Sequence, residues 1–331
     1  MPPVGAMPVP PTPHGRRGSI RNASGGFPLT VRSRPLDVTA VAVLLLLCAI
    51  WGFTQVTIKL ANAGFSPLFQ AGLRSAGSAL LLWGWSAARG VPLFRRDGTL
   101  GHGVLITALF AVEFILIYDG LVLTTAARAV LFVYTAPFVV ALGAHFFVPG
   151  ERLRPLKVAG LVCAFVGVAL AFADALRLPT RGELVGDALV LGGAGCWGAT
   201  TVVIKASRHV HLTPNKTLFY QLAGSALILL PLSRALGEPG VTHPSAVAVG
   251  ALAFQIVIVA FVSYLAWFWL LARYPASELS AFSFLTPLFG MAASALVLGE
   301  RVGAALAIAM ALVAAGIYLV NRPDATSALI R

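Results

Sequence analysis

Charge is scarce in this chain. Only 11% of its 331 residues are Asp, Glu, Lys or Arg, 58% are hydrophobic, and the mean hydropathy is +0.87. A soluble domain of this length needs about a quarter charged residues, so its surface is built for lipid. Acids are the scarcest, 12 against 24 Lys and Arg, which leaves a net charge of +12. Cysteine is confined to Cys48, Cys163 and Cys196, far apart and without Cys-x-x-Cys spacing. That pattern excludes a disulfide framework and a cysteine zinc site, and the three read as apolar fillers. The six histidines form no ligand cluster, and His209 and His211 read as a solvated loop pair. The chain also lacks His-Glu-x-x-His, Gly-x-Ser-x-Gly, paired intramembrane aspartates and a Gly-x-x-x-x-Gly-Lys loop. Neither an enzyme, a metal, a cofactor nor a nucleotide-driven pump is expected.

The apolar residues are gathered into stretches of about 20 near 37–58, 66–88, 101–121, 127–148, 155–174, 185–206, 214–234, 246–271, 277–298 and 302–320. Each is about long enough as a helix to cross ~30 Å of hydrocarbon. The positive charge follows these stretches. With both termini inside, the cationic residues facing the cytoplasm number seventeen, among them Arg16, Arg17, Arg95, Arg96, Arg154, Lys216 and Arg322, and six face outward. The positive-inside rule therefore places both termini in the cytoplasm, and no nucleic-acid partner is expected.

Two halves of the chain repeat each other. Trp51-Gly52 with Lys59 returns as Trp197-Gly198 with Lys205, a shift of 146, and Ala76-Gly77-Ser78-Ala79-Leu80 returns as 223–227, a shift of 147. Pro137 and Gly150-Glu151-Arg152 are answered by Pro287 and Gly299-Glu300-Arg301. Five stretches per copy, an odd number, force the second copy to enter the membrane from the opposite face. The expected fold is an all-α integral membrane protein of ten transmembrane helices in two inverted-topology five-helix repeats, 37–175 and 184–321. Residues 1–36, rich in Pro, Gly, Ser and Arg, are expected to be a disordered cytoplasmic tail, with a short second tail at 322–331. Pro137 and Pro287 fall mid-stretch at equivalent places, where each removes a backbone donor and bends its helix. Small residues at 159–167 and 192–195 form helix-packing faces.

Charges at membrane depth are costly and mark functional sites. Arg74 and Glu113 both lie roughly 12 Å deep at 1.5 Å per residue. They read either as a permanent salt bridge or as a pair that opens to receive the carboxylate and amine of a zwitterion, with Glu113 able to carry a proton. Their counterparts are Gln221 and Ser263, so the second copy manages without the charges. Trp51, Tyr118, Tyr134, Trp197, Tyr264 and Trp267 are candidate walls of a substrate cavity, and Gln55, Gln221 and Gln255 are groups that orient a substrate or join helices. Lys59 and Lys205 are expected to snorkel to headgroups. Glu151 and Glu300 are expected to complement the positive ends of the last helix of each copy. Asp119 is the expected partner of Arg128, and Glu278 lies beside Arg273.

The Trp-Gly with downstream Lys, the run Ala127-Arg128-Ala129 to Tyr134-Thr135-Ala136-Pro137 and the closing Gly-Glu-Arg resemble the drug/metabolite transporter superfamily, in particular its EamA-domain branch. The resemblance covers about 37–320. It implies a central cavity and export of small metabolites such as amino acids. Carriers of drugs or of phosphorylated metabolites and sugars share the superfamily and are the alternative, although the ninth stretch offers Glu278 and lacks the cations that phosphate carriers use there. An integral-membrane enzyme is the further alternative.

Overall fold

A computed structural model describes residues 36–176, 178–207, 213–298 and 304–322. The expected tails, His209, His211 and Gly299-Glu300-Arg301 lie almost entirely outside these residues. The described chain is helical from end to end: α1 (Val38–Ala61), α2 (Pro67–Ala88), α3 (Leu100–Leu123), α4 (Ala126–Val133), α5 (Ala136–Phe147), α6 (Pro155–Ala171), α7 (Arg181–Ala206), α8 (Pro214–Ala235), α9 (Ala246–Phe254), α10 (Tyr264–Leu271), α11 (Ala276–Phe282), α12 (Leu285–Leu298) and α13 (Ala304–Asn321). A π-helical stretch, Gln255–Ser263, joins α9 to α10. An isolated bridge between Phe65 and Val241 is the only strand-like pairing among the described residues.

Six helical segments are long and apolar enough to cross a membrane: α1, α3, α7, α8, Ala126–Phe147 and Ala246–Leu271. The segment α2 is equally long but more polar, and its polar side chains are hidden. Gln70, Arg74, Ser75, Ser78 and Ser86 are buried, while Leu80 and Trp83 are 63% and 51% exposed. Inverting the usual arrangement in this way suits lipid, where polar groups must find partners inside the bundle. The buried face of α8 (Thr217, Gln221, Leu222, Ser225, Ser233) repeats that of α2 at a constant shift of 147.

Small residues set the helix contacts. A Cβ on Gly160 would meet the Gly316 carbonyl at 2.7 Å, and one on Gly167 would meet the Ala309 carbonyl at 2.9 Å, so α6 and α13 lie in close antiparallel contact. Gly120 meets Gly186 and Gly193 meets Ile117 along α3 and α7 in the same antiparallel sense. Gly195, expected on this face, has open space beside it.

The repeated prolines differ from expectation. Helix α4 ends before Tyr134-Thr135, and Ala136-Pro137 open α5, where a missing backbone donor is harmless. A second break at Ser283-Phe284 separates α11 from α12, whose third residue is Pro287. The two prolines restart their helices instead of bending them. Gly52 packs against the second break, its Cβ position 2.6 Å from Gly290 N and 2.7 Å from the Thr286 carbonyl. Gly198 packs beside the first, 2.6 Å from Val139 Cβ.

Candidate functional site

Side chains from α1, α2, α3, α7, α8 and the two broken helices enclose a cavity of about 570 Å³. Exposed Asn62, Leu121 and Val122 rim it at the ends of α1 and α3, while buried Val259, Trp267 and Phe268 form its floor. One end is therefore open and the other sealed.

Of the residues expected at a site, Trp51, Arg74, Glu113, Tyr134, Trp197, Gln221, Tyr264 and Trp267 all line this cavity. The side chains of Tyr118 and Gln55 lie outside the described residues. Trp51 stacks edge-on against Trp267 at 5.5 Å and Tyr264 at 6.3 Å, and its indole N–H donates to Ser263 Oγ at 2.8 Å. Trp197 meets Tyr134 edge-on at 6.4 Å, and Tyr134 in turn meets Phe284. The repeated tryptophans thus wall the cavity from its two sides, each beside a glycine that lets its helix approach a helix break.

Arg74 and Glu113 share the cavity without forming the expected ion pair among the described residues. Arg74 Nε and Glu113 Oε2 are buried with no hydrogen-bond partner, and the guanidinium lies 5.5 Å from the centroid of the Phe114 ring. Stacking on an aromatic face holds the cation while leaving donors unspent. Buried polar atoms without partners are expensive, and the two residues that carry them line a space that a polar ligand can fill.

Other residues singled out in the sequence fall as expected in part and differ in part. Gln255 joins helices: its amide donates to the Thr57 carbonyl at 3.2 Å and its carbonyl accepts from Gln70 at 3.3 Å. Arg128 pairs with Asp187 of α7, which also accepts from Thr124 Oγ1 at 2.7 Å, while Asp119 is exposed. Glu278 sits 3.9 Å from Lys157, away from Arg273, which lies over Trp269. Lys59 is exposed as expected of a snorkelling side chain, but Lys205 is 2% exposed and donates to the carbonyls of Leu271, at 2.7 Å, and Tyr274. Glu151 caps a helix other than the one it opens, accepting from Ala276 N at 2.7 Å and Ser277 N at 3.1 Å at the start of α11. Sequence reasoning missed Thr54, Thr200 and Thr201, cavity-lining hydroxyls one helical turn from the repeated tryptophans.

A model of the EamA-like transporter family matches residues 38–173 and again 184–322, together most of the chain. The chain belongs to this family. It is a multi-pass membrane protein of the drug/metabolite transporter superfamily. This EamA-like transporter is 30% identical over 285 residues to a probable amino-acid metabolite efflux pump of Salmonella typhimurium, covering 83% of this chain and 92% of the relative. It is 28% identical over 284 residues to the Escherichia coli protein of the same description, with the same coverage. An uncharacterised transporter of Bacillus subtilis is 25% identical over 273 residues, covering 82% of this chain and 92% of that one. A solved crystal structure matches the fold with a TM-score of 0.73 at 22% identity, covering 85% of this chain and 97% of that chain. The family and its relatives are transporters rather than enzymes.

Proposed function

We propose that this EamA-like transporter is a secondary carrier that exports amino acids or closely related zwitterionic metabolites across a bacterial inner membrane by alternating access. The observation that carries this reading is that Arg74 and Glu113 line one aromatic-walled cavity, and that Arg74 Nε and Glu113 Oε2 have no hydrogen-bond partner among the described residues. A zwitterion brings the two charges that Arg74 and Glu113 can each accept, and its apolar part meets Trp51, Trp197, Tyr264 and Trp267. Gln221 and Tyr134 supply neutral hydrogen-bonding groups, and Tyr118 belongs to the same set by sequence. Glu113 is the acid that couples a proton to transport.

Ten spans in two inverted halves, 37–175 and 184–321, follow when α4–α5, α9–α10 and α11–α12 each count as one crossing. The pairing of helices supports this. Exchanging the halves turns the packing of α1 on α12 into that of α7 on α5, and the packing of α3 on α7 into that of α1 on α9. The α6–α13 and α2–α8 pairs map onto themselves, and their members run antiparallel, as inversion requires. With both termini cytoplasmic, the open end of the cavity faces outward.

Counterflow of labelled amino acids in proteoliposomes tests the reading. Saturable exchange of one zwitterion, lost in Arg74→Met, is the expected result. Exchange of uncharged or phosphorylated compounds in place of zwitterions overturns the substrate class, and absence of saturable exchange overturns the carrier.

A further inference from the structure

Lys205 and Lys59 occupy equivalent repeat positions and opposite states. Lys205 is buried and spends its ammonium on the Leu271 and Tyr274 carbonyls at the C-terminal end of α10, where unsatisfied carbonyls and the negative end of the helix dipole favour a cation. Lys59 is exposed near the rim of the open cavity end, one residue from cavity-lining Ile58.

The closed end around Lys205 is tied by further cross-links onto the same α10–α11 hairpin. Tyr274 donates its hydroxyl to Asp37 Oδ2 at 2.9 Å, Glu151 caps Ala276 and Ser277, and Lys157 donates to Ser277 Oγ at 2.8 Å. At the open end, the repeat shift of 150 maps Leu271 and Tyr274 onto Leu121, in the last turn of α3, and Thr124, the C-cap of that helix. Leu121 lines the cavity mouth across from Ile58 and Asn62. The residues whose carbonyls would receive Lys59 thus belong to the end of α3, which contributes Leu121 and Val122 to the cavity mouth.

We infer that Lys205 and Lys59 are reciprocal latches of the two gates: Lys205 clamps the end of α10 while the cavity opens beside α3, and Lys59 clamps Leu121 and Thr124 when the cavity opens beside α10. This inference rests on the alternating-access reading and adds to it named gate residues. Its physical basis is desolvation. A buried ammonium is costly unless its hydrogen bonds outweigh the desolvation, as bonds to two helix-end carbonyls do in a latch, so a single latch would bias the carrier toward the state that buries its lysine. Two lysines that exchange burial for hydration cancel that term and keep the two states close in free energy, which a carrier needs. A static snorkelling pair would leave both ammonium groups at headgroup level. Lys205 is instead buried in protein and bonded to protein carbonyls.

The test uses the full-length protein in membrane vesicles of both orientations, with the three native cysteines replaced by serine and one reporter cysteine labelled by an impermeant maleimide. Ser280→Cys reports on the closed end, since Ser280 is buried in α11, and Thr54→Cys reports on the open cavity. Lys205→Met is expected to speed labelling of the Ser280→Cys reporter about tenfold or more, the factor that a lost charge-assisted hydrogen bond carries, and to slow labelling of Thr54→Cys. Lys59→Met is expected to do the reverse, and the double variant to return both rates toward the parent. Should Lys205→Met fail to fold, Lys59→Met decides alone, because a lysine that merely reaches headgroups leaves both rates unchanged. Unchanged rates, or shifts in the same direction in the two single variants, overturn the latches. Labelling needs no substrate, so the two readings fail differently: lost latches leave counterflow intact in the parent protein, whereas a failed carrier shows no counterflow whatever the labelling.

Discussion

Trp51 donates its indole N–H to Ser263 Oγ at 2.8 Å, tying α1 to the end of the π-helical stretch across 212 positions of sequence. Ser263 donates its own hydroxyl to the Val259 carbonyl. The repeat shifts carry this pair onto Trp197 and Glu113. Both line the cavity, but Glu113 Oε2 has no partner among the described residues. One copy thus closes the relationship with a hydroxyl, and the other leaves an acid facing the cavity.

Trp51→Phe keeps a ring against Tyr264 and Trp267 but removes the N–H, while Ser263 retains Val259. The expected cost is about 1 kcal/mol of stability, the net worth of one hydrogen bond. Trp51→Ala also removes the wall and is expected to cost about 3–5 kcal/mol. Equilibrium unfolding in detergent distinguishes the two; equal losses would show that packing contributes nothing at this position.

Glu113→Gln preserves shape and removes the titratable group. Concentrative uptake driven by a proton gradient is expected to vanish, while substrate exchange at equal pH continues with a raised half-saturating concentration, since the amide oxygen still accepts from the substrate ammonium but carries no charge. Loss of exchange together with lower thermal stability would assign Glu113 to holding the bundle together. The readout is labelled-substrate flux with and without an imposed pH gradient.

What could be read from the sequence depended on whether it was local or periodic. Apolar length marked the spans, and the recurrence of Trp-Gly, Ala-Gly-Ser-Ala-Leu and Pro at nearly constant shifts marked the repeat. The repeated tryptophans proved to be cavity walls, and the repeated glycines beside them and the prolines proved to sit at the helix breaks. The partners of charges were not legible, because they depend on which helices adjoin. Arg128 bypasses Asp119, nine residues away, for Asp187, 59 residues away, since α4 packs on α7. Lys205, at a helix end where snorkelling was expected, instead turns inward because α10 ends beside it. Neither the π-helical stretch nor the Glu238 cap on α2 has a local signal: the first is an ordinary apolar run between Gln255 and Ser263, and the second lies 170 residues from its target.

Gly52 is confined by backbone on the facing chain, with Gly290 N and the Thr286 carbonyl under 3 Å from where a Cβ would stand. Backbone cannot yield as a side chain can, so Gly52→Ala is expected to cost about 1–3 kcal/mol and to displace α12 at the break beside Pro287. Gly195→Ala meets open space and gains helix propensity, so it is expected to be neutral or to stabilise by up to about 1 kcal/mol. Paired unfolding curves in detergent check the contrast. Similar losses at the two positions would refute the close approach.

The proposed inversion of the two halves would put the α2–α3 loop and the start of α7 on opposite faces. Single cysteines at Arg95 and Arg181 should therefore be labelled by an impermeant maleimide from opposite sides of oriented vesicles. Labelling of both from one side would remove the inversion, and with it the reciprocal gates.

Glu238, in the connection that follows α8, accepts from Leu68 N at 3.1 Å, Phe69 N at 2.9 Å and Ser233 Oγ at 2.7 Å, capping the start of α2. Burial pushes its carboxyl up, but the hydrogen bonds from Ser233, Leu68 and Phe69 outweigh that and hold it below the usual glutamate range. A carboxylate with a depressed folded-state pKa binds fewer protons folded than unfolded. Its contribution is therefore complete above the unfolded value of about 4.3 and is lost as pH falls through the folded value. Glu238→Gln cannot titrate and keeps a single oxygen for two backbone donors, so it should be less stable than the parent by about 1 kcal/mol, a typical helix-cap loss. That difference should stay constant from about pH 8 to pH 5.5 and shrink on further acidification, as the parent loses its charge. Melting of both proteins in detergent across this range measures it. A difference that instead grew as the pH fell would mean that the folded protein favours the protonated acid, contrary to the cap.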